Sequence, residues 1–149
     1  MIIEYHRLDK YVKMPTRSNP SDAGLDVYAN LVDPILIEPR GSVIIPTGLK
    51  FGIPHGYMLQ VMNRSSVAAK RSLIVGAHVI DSGYDGEVFI NIHNVGSTTQ
   101  EVRYGDKIAQ LVMVPVVAFR ARPAVEDTLY EQPITISDRG DGALGSTGG

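Results

Sequence analysis

The chain has 149 residues, with 14 lysines and arginines against 16 aspartates and glutamates, so its net charge is close to zero. This length suits one domain with one core. The charge balance argues against a general DNA-binding or RNA-binding protein and against a polybasic membrane-surface protein. Without cysteine there are no disulfides, zinc–thiolate sites or thiol nucleophiles. No signal peptide and no apolar run near the ~20 residues of a membrane span are present, so we expect a cytoplasmic, intracellular protein.

Short runs rich in β-branched residues lie between turns made by 15 glycines and nine prolines. In the run from Glu87 to Asn94, the side chains of Val88, Ile90 and Ile92 alternate with polar or outward residues, as expected for a strand with one buried face. Many such strands predict an all-β sandwich or barrel. Only the segment Ser65 to Arg71 looks helical, with Ser65 as its candidate cap.

The segment Ala77 to Val88 carries the first candidate site. Val79-Ile80 is strand-like and Ser82-Gly83 is typical of a turn, so we predict a hairpin with Asp81 at its mouth and Tyr84 just past the turn. A carboxylate there can accept a proton from water or bind a metal, and the Tyr84 ring can face a sugar. An aspartate that only caps a turn explains this segment, taken alone, better.

Two further segments suggest phosphate binding. Arg64, Ser65 and Ser66 combine a cation, two hydroxyls and helix-terminal N–H groups, although an ordinary cap with a surface arginine is the simpler alternative. The turn at Gly105-Asp106 precedes a strand on which we expect Ile108 and Gln110 to share one face. The Gln110 amide then either donates to a phosphate or faces water.

Asp26 interrupts an otherwise apolar strand, which by itself more often marks a surface or a bulge. The tail from Arg139 is rich in glycine, and we expect it to be mobile unless a ligand orders it. Its spacing G-x-x-x-x-G-S-T lacks the lysine of a P-loop, and no helix follows. Backbone N–H groups together with Arg139, Ser146 and Thr147 could still wrap a polyphosphate.

The series AGLDVYA, NRSSVA, HVIDSGYDGEV, YGDKIAQLV and RGDGALGSTG, from about residue 22 to 148, closely resembles the five ordered motifs of the trimeric dUTP pyrophosphatases, the dUTPases. The resemblance implies a distorted jelly-roll with one short helix, and a homotrimer whose active sites are shared between subunits. It also implies a β-barrel domain over residues 1–136 and a mobile C-terminal arm over residues 137–149.

The implied reaction is hydrolysis of dUTP to dUMP and pyrophosphate, which limits uracil in DNA and supplies dUMP for dTTP synthesis. Asp81 matches the base that activates the attacking water, and Tyr84 the ring under the deoxyribose. Asp26 matches the carboxylate that holds Mg²⁺ through water. The matching substrate contacts are the backbone of Ala77, His78 and Val79 at uracil, Arg64, Ser65, Ser66 and Gln110 at phosphate, and Arg139, Leu144, Gly145, Ser146 and Thr147 in the closing tail.

Three positions depart from the family pattern. Leu144 stands where an aromatic residue usually stacks on uracil, and this loss weakens stacking by ~1 kcal/mol or more. Asn63 stands where proline, glycine or another small residue is usual before Arg-Ser. His78 replaces the usual glycine of the uracil hairpin, and we expect His78 to act through its shape and its backbone.

Two alternative functions remain open. The segment around His78 also resembles the hairpin of the dCTP deaminases and bifunctional deaminase–diphosphatases, which share this fold. Those enzymes need a glutamate where this chain has Asn91, and an amide cannot do that acid–base work; Glu87 lies too early, and the deaminases lack this tail. A nucleotide-sensing regulatory protein is the other alternative. The filled catalytic positions and the absence of a sizeable insertion between the fourth and fifth motifs argue against it.

Overall fold

The structure, a computed structural model, describes residues 1–138 and 140–144. Within these residues it contains eleven strands and one helix. The elements are β1 (Tyr5–Arg7), β2 (Gly24–Tyr28), β3 (Ile35–Ile37), β4 (Ser42–Pro46), β5 (Leu49–Phe51), β6 (Tyr57–Met62), α1 (Ser65–Arg71), β7 (Leu73–Val75), β8 (Val79–Ile80), β9 (Phe89–Asn94), β10 (Gln100–Val102) and β11 (Lys107–Pro115). The prediction of an all-β protein with one short helix is confirmed.

All strand pairs are antiparallel and fall into four sheets. The largest has the order β2-β11-β6-β8, and a second has the order β4-β9-β7. Two smaller sheets pair β1 with β5 and β10 with β3. No helix among residues 1–138 and 140–144 is long and apolar enough to span a membrane.

The hydrophobic core follows from alternation along the strands. Val88, Ile90 and Ile92 are at most 2% exposed, whereas Phe89 between them is 51% exposed, so the predicted buried face is confirmed. Burying large aliphatic side chains of this kind contributes about 1.5–3 kcal/mol each. The same core takes in side chains from β2, β3, β4, β5, β6, β7, β10 and β11.

Helix α1 has the predicted bounds, but the predicted serine cap is wrong. Arg64 takes the N-cap position with an extended backbone, and no side chain caps the helix. Ser65 is instead the first helical residue, one position too late to cap. The helix ends at Ser72 in the left-handed conformation, with the Ser72 N–H donating to the Ala68 carbonyl at 3.1 Å. The buried side chain of Val67 attaches the helix to the core.

Strand β11 contains a bulge that overturns the predicted alternation. Lys107 pairs with Tyr28 and Ala109 with Val27, so one extra residue lies between them in β11. Ile108 and Ala109 are consequently both buried, and Ile108 does not share a simple alternating face with Gln110. The predicted turn before the strand is confirmed by the Asp106 N–H bond to the Arg103 carbonyl at 3.1 Å and by the positive φ of Gly105.

The segment around Asp81 is not the predicted hairpin. Strand β8 pairs with β6, whereas β9 pairs with β4 and β7, so the two strands belong to different sheets. Short-range turn signals cannot reveal which sheet a strand joins, because pairing is decided by distant strands. The turn itself is confirmed: the Tyr84 N–H donates to the Asp81 carbonyl at 3.2 Å, and Gly83 has a φ of 86°. Residues 81–88 therefore form a loop that crosses between two sheets.

The chain divides into two compact units, Met1–Ala118 and Phe119–Gly149. The first contains all the strands and the helix listed above. In the described part of the second unit, no strand or helix is present. The division into a barrel over residues 1–136 and an arm over residues 137–149 stays a prediction.

Candidate active site

One cavity that contains predicted site residues is polar, has a volume of about 240 Å³ and lies beside the sheet β2-β11-β6-β8. It brings together three of the motifs that are far apart in the sequence. Its lining consists of Ser18, Asp22, Ala23, Gly24, Asp26, Arg64, Ser65, Ser66 and Gln110. The residues predicted to bind phosphate or metal all lie here, apart from those of the tail: Asp26, Arg64, Ser65, Ser66 and Gln110.

Strand β11 is the reason for this assembly. It pairs with β2 on one side and β6 on the other, so Gln110 lies opposite both Asp26 and Met62. Arg64 follows β6 by two residues. The first and fourth motifs lie on β2 and β11, and the second motif directly follows β6. Because these three strands are neighbours, side chains of all three motifs reach one cavity.

Asp26 is the electrostatic centre of this cavity, which we call the phosphate cavity after the role predicted for its residues. The residue is only 8% exposed, and its Oδ1 accepts a hydrogen bond from Arg64 Nε at 2.8 Å. Lys107 Nζ lies 3.5 Å from Oδ2. One carboxylate therefore pairs with two cations, which leaves the group of three with a net positive charge, and it orients the Arg64 guanidinium through Nε. The two terminal nitrogens of the guanidinium stay outside this pair, in the fork geometry that suits phosphate oxygens.

Gln110 has a supporting contact inside the same cavity. Its Nε2 donates to the Asn63 carbonyl at 2.8 Å, which ties β11 to the residue just before Arg64. A Cβ at position 24 would collide with Oε1 of Gln110, so a larger residue at that point of β2 would displace the Gln110 amide. The predicted phosphate contact of Gln110 has to be made by the part of the amide that this bond leaves available.

The donor set fits Mg²⁺ held through water rather than in a protein cage. Asp22 and Asp26 are the carboxylates of the phosphate cavity, and the described residues contain no group of three or more acidic, histidine or cysteine side chains arranged for a metal. Both oxygens of Asp26 face cations, and Asp22 Oδ2 accepts the Asn19 N–H at 2.9 Å. Mg²⁺ keeps several waters and takes one or two carboxylates plus substrate phosphates, which agrees with these residues.

The second candidate site is a cavity of about 220 Å³ at the loop that crosses between the sheets. Asp81 and Tyr84 line it together with the apolar ends of β8 and β9 and with Glu87. The loop is held to the residue after β5 and Gly52 by the Ser82 hydroxyl, which donates to the Ile53 carbonyl at 2.9 Å. On the solvent side of the same loop, Asp85 forms an exposed ion pair of 2.6 Å with Lys50, which lowers the pKa of Asp85.

The ring of Tyr84 is held in place by its own loop. Its hydroxyl donates to the Glu87 carbonyl at 2.7 Å. The ring lies so close to Gly86 that a Cβ there would be 2.6 Å from Cζ of the tyrosine. Glycine at 86 thus permits the close approach of the ring to the backbone. With 45% of Tyr84 exposed, a sugar can pack against it.

Glu87 is a residue of the Asp81 cavity that sequence reasoning did not select. Burial raises the pKa of its carboxyl above the ordinary value of 4.5, and the charge of Asp9 raises it further. A carboxyl of this kind holds its proton more tightly than usual. Nothing in the local sequence indicates this property, since it depends on packing and on a residue near the N-terminus.

The segment predicted to read uracil lies on the surface. The His78 carbonyl accepts the Val61 N–H at 2.9 Å, and Val79 pairs with Gln60, so β6 uses part of this backbone. The His78 Nδ1 lies 3.3 Å from the Gly76 carbonyl. Ala77 and His78 are exposed and line neither cavity, while Val79 lines the Asp81 cavity.

The predicted site residues therefore form two groups within one protomer. The phosphate cavity and the Asp81 cavity have no lining residue in common. Leu144, in the second unit, is fully exposed. The remaining predicted tail contacts, Arg139, Gly145, Ser146 and Thr147, lie outside the described residues.

The fold is all-β, and it carries one cavity lined by arginine and serine and another lined by aspartate and tyrosine. These features suit the class of β proteins that bind phosphorylated ligands. The comparisons are more specific. The family model dUTPase matches residues 10–148. The deoxyuridine 5'-triphosphate nucleotidohydrolase of Desulfitobacterium hafniense is 42% identical over 149 residues, which cover 98% of this chain and 94% of the relative. The chain therefore belongs to the dUTPase family.

Solved structures agree on the fold. The Staphylococcus bacteriophage 80alpha dUTPase with dUpNHpp superimposes with a TM-score of 0.85 and 26% identity, covering 99% of this chain and 98% of the other. A mutant dUTPase from phage phi11 of S. aureus, in which a structural Mg(II) ion is coordinated, has a TM-score of 0.77 and 27% identity, covering 85% of this chain and 98% of the other. The predicted dUTPase-like jelly-roll is thereby confirmed.

The first prediction concerns the ion pair in the phosphate cavity. Replacing Asp26 by asparagine leaves Arg64 and Lys107 without their buried counter-charge, so we expect the free energy of unfolding to fall by about 2–3 kcal/mol. Urea denaturation measures this change. Asp85→Asn is the matched control, because it removes an aspartate–lysine pair that is exposed to solvent, and we expect no measurable change. Equal effects of the two substitutions would contradict a special role for the buried pair.

The second prediction uses the raised pKa of Glu87. A carboxyl whose pKa is higher in the folded state stabilises the fold below its ordinary value of 4.5, and this contribution is lost as the pH rises through the folded value. Glu87→Gln removes the ionisation, so we expect the variant to be more stable than the wild type at pH 7 and to show no such gain at pH 3.5–4. Urea midpoints across this pH range test it; a variant that loses stability at pH 7 would contradict the assignment.

Proposed function

We propose that this protein hydrolyses dUTP to dUMP and pyrophosphate, with Asp81 as the base. The observation that carries the proposal is the geometry of the crossing loop in a chain of the dUTPase family. A turn places Asp81 beside Tyr84, and Gly86 and the Glu87 carbonyl fix the tyrosine ring. A carboxylate next to a fixed sugar platform is what water activation at the adjacent α-phosphate requires.

The chemical step balances as a single displacement. A water oxygen forms a bond to the α-phosphorus while the bond from that phosphorus to the α,β-bridging oxygen breaks. Asp81 orients the water and accepts its proton, and pyrophosphate leaves. Arg64, Ser65 and Ser66 bind the phosphate oxygens through charge-assisted and hydroxyl hydrogen bonds. Phosphoryl transfer needs this positioning and charge neutralisation more than covalent help.

Mg²⁺ is the cofactor we assign to this reaction. When bound it neutralises phosphate charge, and Asp26, with Asp22 beside it, would hold it through water. The role of Arg64 does not depend on that ion, because the Asp26 hydrogen bond alone orients the guanidinium. Asp26 therefore has two functions in the proposal: it orients the Arg64 guanidinium, and it would face the Mg²⁺ that the substrate brings.

A homotrimer with active sites shared between subunits is the assembly that we propose. In one protomer the phosphate cavity and the Asp81 cavity are separate, whereas the reaction needs both at one nucleotide. A neighbouring copy of the chain supplies the missing half. In this arrangement the arm over residues 137–149 closes over the bound nucleotide, with Leu144 at the base. We place the protein in the cytoplasm, where its substrate is formed.

Base recognition is assigned to the segment Ala77 to Val79. The backbone groups that β6 does not use can read the pyrimidine edge, and the exposed ring of His78 limits the space beside it. Backbone donors and acceptors in a fixed geometry discriminate strongly, because a mismatched base leaves buried polar groups unpaired.

Deamination of dCTP is a second candidate because Glu87, with its raised pKa, lines the Asp81 cavity. The position expected for a deaminase glutamate is unsuitable. Asn91 donates to the Val43 carbonyl at 3.2 Å, and its Oδ1 lies 2.9 Å from His93 Nε2, so its side chain is engaged within the sheet β4-β9-β7. A nucleotide sensor without catalysis is the remaining alternative.

Replacing Asp81 by asparagine tests the base. The amide cannot accept the proton of the attacking water, so we expect pyrophosphate release from dUTP to fall by about 10²–10⁴-fold. Binding of a non-hydrolysable dUTP analogue and the melting temperature should stay near wild type. Asp85→Asn is the control, since it changes another aspartate of the same loop, and we expect it to retain activity within about threefold. Wild-type turnover by Asp81→Asn would overturn the assignment of Asp81.

A substrate panel tests the reaction itself. The wild-type protein is incubated with dUTP, dCTP, dTTP and UTP in the presence of Mg²⁺, and pyrophosphate and ammonia are measured separately. We expect pyrophosphate from dUTP, with much less from the other three and no ammonia. Ammonia from dCTP would establish the deaminase. Tight binding of dUTP without any product would instead favour the sensor.

A further inference from the structure

Asn63 does not line the phosphate cavity, but it directly precedes Arg64, which does. It lies between the last residue of β6, Met62, and the N-cap of helix α1, Arg64. Its side chain and its backbone make separate contacts. Oδ1 accepts the Val75 N–H at 2.9 Å, and the carbonyl accepts Gln110 Nε2 at 2.8 Å.

These two bonds fasten the joint between β6 and α1 to two different strands. Val75 is the last residue of β7, which belongs to the smaller sheet β4-β9-β7. Gln110 lies in β11, at the centre of the larger sheet. Proline or glycine at this position would have no side-chain acceptor for the Val75 N–H. Asn63 thus adds a connection between the two sheets immediately before Arg64.

Arg64 is consequently restrained at both ends. Asp26 holds the guanidinium through Nε at 2.8 Å. Asn63 holds the backbone on which the side chain stands. The Arg64 side chain has the least conformational freedom when both its backbone and its guanidinium are fixed. Less conformational entropy is then lost when the side chain binds a phosphate.

We propose that Asn63 is a positioning residue for the triphosphate: it acts through Arg64 and makes no contact with substrate itself. This inference rests on the proposed function, because it assigns the phosphate cavity to the phosphates of dUTP. The role is not one of general stability, since Asn63 is exposed and its bond to Val75 lies at the surface.

The variant Asn63→Ala removes the bond to Val75 and keeps the chain length and the backbone carbonyl. A loss of positioning acts on bound substrate and transition state alike, which raises KM and leaves kcat unchanged. We expect KM for dUTP to rise on the order of fivefold, the effect of one ordinary hydrogen bond. The control is Asn30→Ala, which removes a half-buried amide from the hydrogen bond to Asp9 outside this cavity, and its KM should stay at the wild-type value.

Two inhibitors separate positioning at the phosphates from a structural defect. Inorganic tripolyphosphate probes the phosphate cavity, and deoxyuridine probes the sugar and base without any phosphate. In Asn63→Ala the inhibition constant of tripolyphosphate should rise as much as KM, while that of deoxyuridine should not change. The melting temperature should stay within about 4 °C of the wild type. Equal weakening of both inhibitors, or wild-type tripolyphosphate binding, would overturn the proposal.

A double variant tests the route through Arg64. If Asn63 acts by placing the guanidinium, Asn63→Ala should change tripolyphosphate binding by less than about twofold when Arg64 is already alanine. A full fivefold effect in that background would show that Asn63 acts independently of Arg64. The direct binding of tripolyphosphate and deoxyuridine is measured without turnover. A wild-type protein that releases no pyrophosphate from dUTP would thus refute the proposed function and still leave the role of Asn63 to be decided by these measurements.

Discussion

The double pairing of β11 is the constraint on which the rest of the structure depends. This strand lies between β2 and β6, and its register sets Gln110 opposite Asp26 on one side and Met62 on the other. Shifting the register by one residue would move every side chain of the strand to the other face. The buried ion pair between Asp26 and Arg64, the Gln110 contact with Asn63 and the close approach of Gly24 to the Gln110 side chain all follow from that register.

The chemistry is divided between this sheet and a loop that crosses to the next one. The phosphate cavity combines residues of β2 and β11 with residues at the start of α1, whereas Asp81 and Tyr84 lie on a loop held by hydrogen bonds of Ser82 and Tyr84. This division suits a phosphoryl-transfer enzyme. The phosphates need fixed cations, and the water-activating group needs an exact distance to one phosphorus atom. The two cavities of one protomer share no lining residue, which is why we propose a site shared between copies of the chain.

Four carboxylates of this protein differ in their surroundings. Asp26 is buried against two cations and orients Arg64. Asp85 is exposed and forms an ion pair with Lys50, and this pair lowers the pKa of Asp85. Glu87 is partly buried near Asp9, and its pKa is raised. Asp81 is exposed and lines its cavity, which agrees with the proposed role as a base acting on water.

From the sequence alone, the β-rich class, the bounds of α1, the turn at Gly83 and the buried face of β9 could be predicted, since each depends on residues that are neighbours along the chain. The ordered motifs also identified the family. Only the tertiary structure decided that the Asp81 segment crosses between sheets, that a bulge in β11 buries Ile108 beside Ala109, and that Asp26 and Asn63 restrain Arg64 from two sides. Pairing register, burial and charge pairing join residues that are distant in sequence, so no local pattern contains them.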